Sequence, residues 1–290
     1  MDLVNDFEIK NDKYDYEHNQ VVFTFNKNYF LQTINLIETI SLHNDVSYVF
    51  VCDYIDEELS KYVINSNHGI RLIVLRLKGH YNTKRWPTIT LFRVYLPWVL
   101  KDINKIVYLD SDMICLGNFD ELFQLDCRIA MVPEMSGTIQ RWLNNNYGIT
   151  NYLYYSAGVC LMNLSVIRDT VDINDIDKEF VEKIDKYILN DQDFINVYFN
   201  DIFPLDIKYN NQIYEFRGSY YFDYIMRNSV FLHFSYLKPW ADKVDLYYAK
   251  IYLKYSVNKK MIAMVKKVIK KNRCWFLKCR VKKMLIRNNG

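Results

Sequence analysis

The chain has 290 residues, half of them hydrophobic, which is enough to bury one sizeable core and too apolar for a disordered chain. Its net charge of +3 hides two unlike parts: residues 259–290 carry 12 Lys and Arg and no acid, leaving 25 bases against 34 acids in residues 1–258. That split points to a membrane or nucleic-acid partner for the tail alone.

The start, Met-Asp-Leu-Val-Asn-Asp, has no hydrophobic segment behind it, and no stretch approaches the ~18 apolar residues a spanning helix needs. Cysteines at positions 52, 115, 127, 160, 274 and 279 are scattered without a Cys-x-x-Cys pair. Reduced thiols in a cytoplasmic protein are expected.

In chain order, Gln20–Phe25 reads as a strand. Asn28–His43 reads as a helix with Leu31, Ile34, Ile37 and Ile40 on one side. Val46–Cys52 is a strand, Asp56 caps a helix to about Asn65, and Ile70–Leu77 is a strand rich in branched residues. Pro87 suits the first turn of a helix running to about Lys101, and Lys105–Leu109 is the next strand. Further strands are expected at Arg128–Val132, Gly158–Met162 and Val230–Phe234. This βαβαβαβ order predicts an α/β fold with a mainly parallel sheet covered on both faces. Ligands of such sheets bind beyond the carboxyl ends of the strands.

Asp110 and Asp112 stand there, just past Leu109. On an extended chain both carboxylates point to one side and can share one hard divalent cation. Haloacid-dehalogenase-type phosphotransferases also place Asp-x-Asp after a strand. They continue with a Gly-Thr-type turn, whereas here Met113-Ile114 follows and no downstream Lys and paired-Asp set is evident.

Phe92-Arg93, then Lys105-Ile-Val-Tyr-Leu-Asp-Ser-Asp112 and Gly117-Asn-Phe-Asp-Glu-Leu-Phe123, resemble glycosyltransferase family 8. So do Tyr155-Ser-Ala-Gly-Val-Cys-Leu-Met-Asn163, Asp191-Gln-Asp193 and His233-Phe-Ser-Tyr-Leu-Lys-Pro-Trp240. The likeness spans roughly residues 20–240 in the expected order. It implies a GT-A (Rossmann-like) fold, a UDP-hexose donor, Mn²⁺ with Mg²⁺ as a weaker substitute, and retention of anomeric configuration. Thr24, Asn26, Asn28 and Tyr29 then occupy the uridine-binding turn, and Arg93 matches the arginine contacting the donor sugar and diphosphate. Asp110, Asp112 and His233 match the metal ligands, with Ser111 between the acids grouped with the donor-binding residues. Ala157 and Gly158 match the donor-sugar loop, Asp191 and Gln192 the reaction centre, and Lys238 the phosphate-binding lysine. Asn26 replaces an acid, Ser156 replaces the usual Asn, and Tyr236 stands where Gly is common. The spacing from His233 to Lys238 is one residue shorter than the family's.

The chemistry wants these residue types. Breaking the anomeric C–O bond builds negative charge on the departing diphosphate, which a divalent ion and cationic side chains offset. Mixed carboxylate and imidazole ligation without thiolate favours Mn²⁺ over a closed zinc site. The Gln192 amide is a poor nucleophile, so same-face attack by the acceptor hydroxyl is favoured over a covalent intermediate on Asp191. Glu134 is assigned to the acceptor side.

The acceptor expected from the resemblance is a glycan or glycolipid: lipopolysaccharide, lipooligosaccharide or capsule at a bacterial surface. A nucleotidyl or phosphoryl transferase using the same acids, and a non-catalytic scaffold with a decayed site, are the competing readings. Three regions are expected: a 1–19 extension, a catalytic domain over 20–255 and a basic amphipathic tail over 256–290. In the tail, Ile262, Val265, Ile269, Val281 and Leu285 interleave with the lysines beside Trp275 and Phe276. This suits an interfacial helix on the anionic inner face of the cell membrane. Nucleic acid is excluded by the acidic body and the lack of a recognition motif.

Overall fold

The computed structural model describes residues 2–78, 87–135, 153–183, 186–215, 218, 220, 222–236, 238–242 and 244–272. Eleven strands were assigned among these: β1 Asp2–Lys10, β2 Gln20–Phe25, β3 Ser47–Cys52, β4 Ile70–Lys78, β5 Lys105–Leu109 and β6 Met113–Cys115. The rest are β7 Ile129–Pro133, β8 Tyr155–Asn163, β9 Phe203–Pro204, β10 Asn211–Gln212 and β11 Phe231–His233.

Eight strands form one sheet in the order β1-β4-β3-β2-β5-β8-β7-β9. The stretch β4-β3-β2-β5 is parallel throughout. Strand order reverses between β2 and β5, which is where α/β sheets open a crevice for ligands. β8 runs antiparallel between β5 and β7, and β1 runs antiparallel along β4. The sheet is therefore mixed and mainly parallel, with helices on its faces.

Period-2 patterning explains the layering. Val21, Phe23 and Phe25 of β2 join one apolar cluster with the helix Phe30–Ile40, while Val22 joins the other. Tyr48, Phe50 and Cys52 of β3 likewise oppose Val49 and Val51. The second cluster is closed by the helices Phe92–Val99, Leu164–Thr170, Ile173–Lys183 and Asp191–Tyr198. Strands buried on both faces read as continuous apolar runs, which is why β2, β3 and β5 stand out in the sequence.

Some boundaries differ from expectation for local reasons. Asn26 accepts from the Asn28 amide and caps a 3-10 turn Lys27–Tyr29, so the first helix starts only at Phe30. Pro87 precedes a 3-10 turn, Thr88–Leu91, rather than opening an α-helix. Pro97 lies inside the helix Phe92–Val99 and cannot donate to the Arg93 carbonyl, and Leu100, with φ −100° and ψ 61°, leaves helical geometry, so the helix ends short of Lys101. At the amino end, residues 2–10 are an edge strand of the main sheet rather than an appendage.

A three-stranded sheet, β10-β11-β6, carries a third apolar cluster with the helix Leu246–Tyr255 and helical residues 259–272. Met261 and Val265 are fully buried there, and Met264, Val268 and Ile269 pack against it. The stripe expected to face lipid thus faces the protein, because the small sheet and the helix Leu246–Tyr255 supply an apolar surface that covers it. Asn35 fixes this junction by accepting from the Val257 and Asn258 amides. The tail's remaining residues, including Trp275, Phe276, Val281 and Leu285, lie outside the described residues. Among the described residues no helix is long and apolar enough to cross a membrane.

Candidate active site

β5 delivers Asp110 and Asp112 at the carboxyl end of the sheet, and β11 delivers His233 from the small sheet. β6 joins the two, since Met113 pairs with His233 in antiparallel register and the Phe234 amide donates to the Asp112 carbonyl. His233 Nε2 lies 3.2 Å from Asp112 Oδ1 and 3.9 Å from Asp110 Oδ2. One ligand atom from each of the three residues falls within 4.8 Å of the others. Two carboxylates and an imidazole at that spacing fit one divalent cation of the Mn²⁺ or Mg²⁺ type. Ser111 points the other way, accepting from Thr33 Oγ1 at 2.8 Å.

Lys238 Nζ donates to Asp112 Oδ2 and, at 3.0 Å, to the Ser235 carbonyl. Burial works against ionisation of Asp112, but Lys238 and His233 outweigh it and hold the carboxyl far below the usual range. Burial likewise pulls the Lys238 ammonium down, and Asp112 and Tyr29 reverse the shift, so it stays charged. Tyr29 feels the charge of this lysine, and the Trp240 ring meets it edge-on at 6.3 Å.

Behind the acids, Arg93 is 5% exposed and inserted among four partner residues. Its guanidinium donates to Asp110 Oδ1 at 2.7 Å, to Tyr108 Oη at 3.0 Å and to the Ala157 carbonyl, and it stacks 4.0 Å over the Tyr108 ring. Asp191 Oδ2 stands 3.3 Å from Arg93 Nε. Burial pushes the Asp191 carboxyl up to about 6, with Arg93 opposing and Asp110 reinforcing the rise. The residue just before it, Asn190, has φ 43°, a strained backbone at the entry to the helix. Thr24 reaches this group through Tyr108, Oγ1 to Oη at 2.9 Å.

The remaining predicted residues are placed as follows. Asn26 and Asn28 lie on the turn after β2, beside Tyr29. Gln192 is held at both ends of its amide: Oε1 accepts from the Ala157 amide at 2.9 Å and Nε2 donates to Tyr154 Oη at 3.1 Å. Ala157 is fully buried, with its carbonyl on Arg93. Gly158 packs on the His233 ring; a Cβ there would lie 2.5 Å from its Cε1. Asp193 is a structural anchor, accepting from Tyr154 Oη and from the Ile188 and Leu189 amides.

Sequence reasoning missed Tyr108, which links Thr24, Arg93 and Asp110, and missed Asn210, whose Oδ1 lies 2.8 Å from His233 Nδ1. Tyr108 could have been found as a polar-tipped residue two positions before Asp110 on the same strand. Asn210 had no such signal. Glu134 meets Gln212 at 3.4 Å inside the protein.

The chain is similar to known proteins in sequence and in fold. The chain is 26% identical to lipopolysaccharide 1,2-glucosyltransferase of Escherichia coli over 227 residues, covering 69% of this chain and 65% of that protein. It is 25% identical to lipopolysaccharide glucosyltransferase WaaO of E. coli K12 over 274 residues, covering 81% and 78%. The chain thus spans just under two thirds of the first relative's length. In fold it is similar to the galactosyltransferase LgtC crystallised with donor and acceptor sugar analogues, with TM-score 0.68 at 20% identity over 84% of this chain and 99% of that one. It is also similar to the glycosyltransferase GlyE of Streptococcus pneumoniae TIGR4, with TM-score 0.60 at 22% identity over 88% and 64%. Residues 20–244 match the family model for glycosyl transferase family 8, and the chain belongs to that family.

Proposed function

We propose that this chain transfers glucose or galactose from a UDP-sugar, with retention, to a bacterial surface glycan or glycolipid. The relatives act on lipopolysaccharide by name, which supports that acceptor class. The observation that carries the reading is the convergence of Asp110, Asp112 and His233 at the carboxyl end of β5. A divalent ion held there would offset the charge that develops on the departing diphosphate.

The chain's own residues divide the rest of the work. Lys238, held charged beside the acids, offers a second positive centre to a phosphate oxygen. The turn Asn26–Tyr29 lies at the carboxyl end of β2, across the crevice from Asp110, and is assigned to the uridine. Arg93 ties Asp110 to Asp191, so the acidic pair and the proposed reaction centre move as one body. Asp191 is assigned to the donor sugar. With both ends of its amide engaged, Gln192 lines the centre rather than attacking the sugar, which supports same-face attack by the acceptor hydroxyl.

The exposed lysines 259, 266, 267 and 270 support contact with an anionic membrane surface, by charge rather than by the buried apolar stripe. Sedimentation with anionic vesicles, lost when these four lysines become Gln, is the expected outcome; unchanged binding would exclude this face.

UDP release from UDP-glucose and UDP-galactose in the presence of Mn²⁺ tests the main reading. One of the two is expected to be cleaved, with at least 100-fold loss in Asp112→Asn, a scale typical of removing a charge-stabilising group (~10²–10³). Release of pyrophosphate or inorganic phosphate in place of UDP would contradict it.

A further inference from the structure

We propose that Asn210 is a positioning residue for metal binding, clamping the His233 imidazole so that Nε2 is the nitrogen presented toward Asp110 and Asp112. The proposal rests on the metal-site reading above and adds a residue outside the ligand set.

Asn210 is 1% exposed and terminates the 3-10 turn Ile207–Tyr209, which Asp206 caps. Its Oδ1 lies 2.8 Å from His233 Nδ1, and its Nδ2 donates to Ser156 Oγ at 3.0 Å. Ser156, 3% exposed, also receives Gln212 Nε2 at 3.0 Å, and that same nitrogen lies 3.4 Å from Glu134 Oε2. β10 sets the register, pairing Gln212 with His233 and Asn211 with Leu232. A buried polar chain therefore runs from Glu134 through Gln212, Ser156 and Asn210 to the imidazole.

The chain has a direction. The Glu134 carboxylate accepts, so Gln212 presents its amide nitrogen to it and to Ser156. Asn210 turns its own nitrogen to Ser156 and its oxygen to the imidazole. An amide oxygen beside Nδ1 requires Nδ1 to carry the proton. With Nδ1–H held on Asn210, the imidazole can offer a lone pair to a cation only from Nε2, the atom 3.2 Å from Asp112. Gly158 packs against the Nδ1 and Cε1 atoms of the ring, where a Cβ would lie 2.8 Å from Nδ1 and 3.0 Å from Met113 Cε. Without Asn210, Asp112 is the remaining strong acceptor beside the ring. The proton would then move to Nε2, the position a cation needs. Partners that orient a ligating histidine in this way typically govern metal affinity by ~10- to 100-fold. This also gives Ser156 a task distinct from donor contact: a short hydroxyl there accepts both amides.

The test is the Mn²⁺ affinity of the full chain, read from loss of the free-ion electron paramagnetic resonance signal with and without UDP. Asn210→Leu is expected to weaken binding ~10- to 100-fold. Asn210→Asp, which keeps the accepting oxygen, is expected to stay within a few-fold of wild type, and Ser156→Ala to fall between them. Wild-type protein with Mg²⁺ and UDP is expected to show a slowly exchanging His233 Nδ1–H in ¹⁵N spectra, a readout that needs no variant to fold. Equal Mn²⁺ affinity for Asn210→Leu and wild type, with affinity lost in His233→Ala, overturns the inference alone. Failure of wild type to bind Mn²⁺ at all overturns the metal site and the inference together.

Discussion

Gly158 shows how tightly single residues constrain the site. Any side chain there meets the His233 ring at 2.5 Å. Gly158→Ala is expected to displace the imidazole and reduce Mn²⁺ affinity ~10-fold or more while the protein still melts cooperatively, checked by titration and by a thermal scan. Asp191 gives a pH signature. Its carboxyl rises from 3.8 in the unfolded chain to about 6 in the folded one, so the native state binds more protons between those values. Stability is therefore lost as pH climbs through that window, by up to about 3 kcal/mol from this group. Asp191→Asn is expected to melt higher than wild type at pH 7.5 and to lose that advantage at pH 4, because Arg93 keeps Asp110 as its partner. A variant that melts lower at pH 7.5 would contradict the assignment. At this scale the sequence shows Asp110 and Asp112, because a buried strand followed by two acids is a local pattern. Tyr108 with Thr24 and Asn210 with Ser156 are contacts across 84 and 54 residues, and no local pattern encodes them.

Among elements, helical residues 259–272 changed most in meaning. Alternation of lysine with Val and Ile reads equally well as a lipid-facing or a protein-facing stripe, since both demand an apolar side. The structure distinguishes them by supplying a partner: Met261 and Val265 complete the third cluster with Tyr248, Tyr252 and Leu232. Met261→Ala is expected to cost about 2–5 kcal/mol, measured by denaturant unfolding, as for other buried long apolar side chains. A cost near zero would mean the helix is not docked. β1 was obscure because Asp2, Asn5, Asp6 and Glu8 interrupt its apolar residues, as suits an edge strand. β8 reads as a strand from its composition, but nothing in composition states that it runs against β5.

For the whole molecule, strand order decides where chemistry can occur. The reversal between β2 and β5 brings the turn after Phe25 and the acids after Leu109 to one crevice, and β6 and β11 then hang the small sheet, with His233 and Lys238, over it. The βαβ rhythm made the crevice's location legible. Of the small sheet only β11 was legible, from the apolar run Val230–Phe234; β6 and β10 are three and two residues long and carry no period. A site assembled from the large and small sheets should couple ligand to global stability. Mn²⁺ with UDP at ~100 times its dissociation constant is expected to add ~2.7 kcal/mol to unfolding, with the gain abolished by chelator and absent in Asp112→Asn.

The most direct test is a crystal grown with Mn²⁺ and UDP, with the ion located by its anomalous signal. The account expects one manganese peak bound by Asp110, Asp112 and His233 Nε2 and by the nucleotide's phosphates, with His233 Nδ1 still on Asn210. A manganese peak elsewhere, or His233 turned away from the acids with the nucleotide bound, would contradict it.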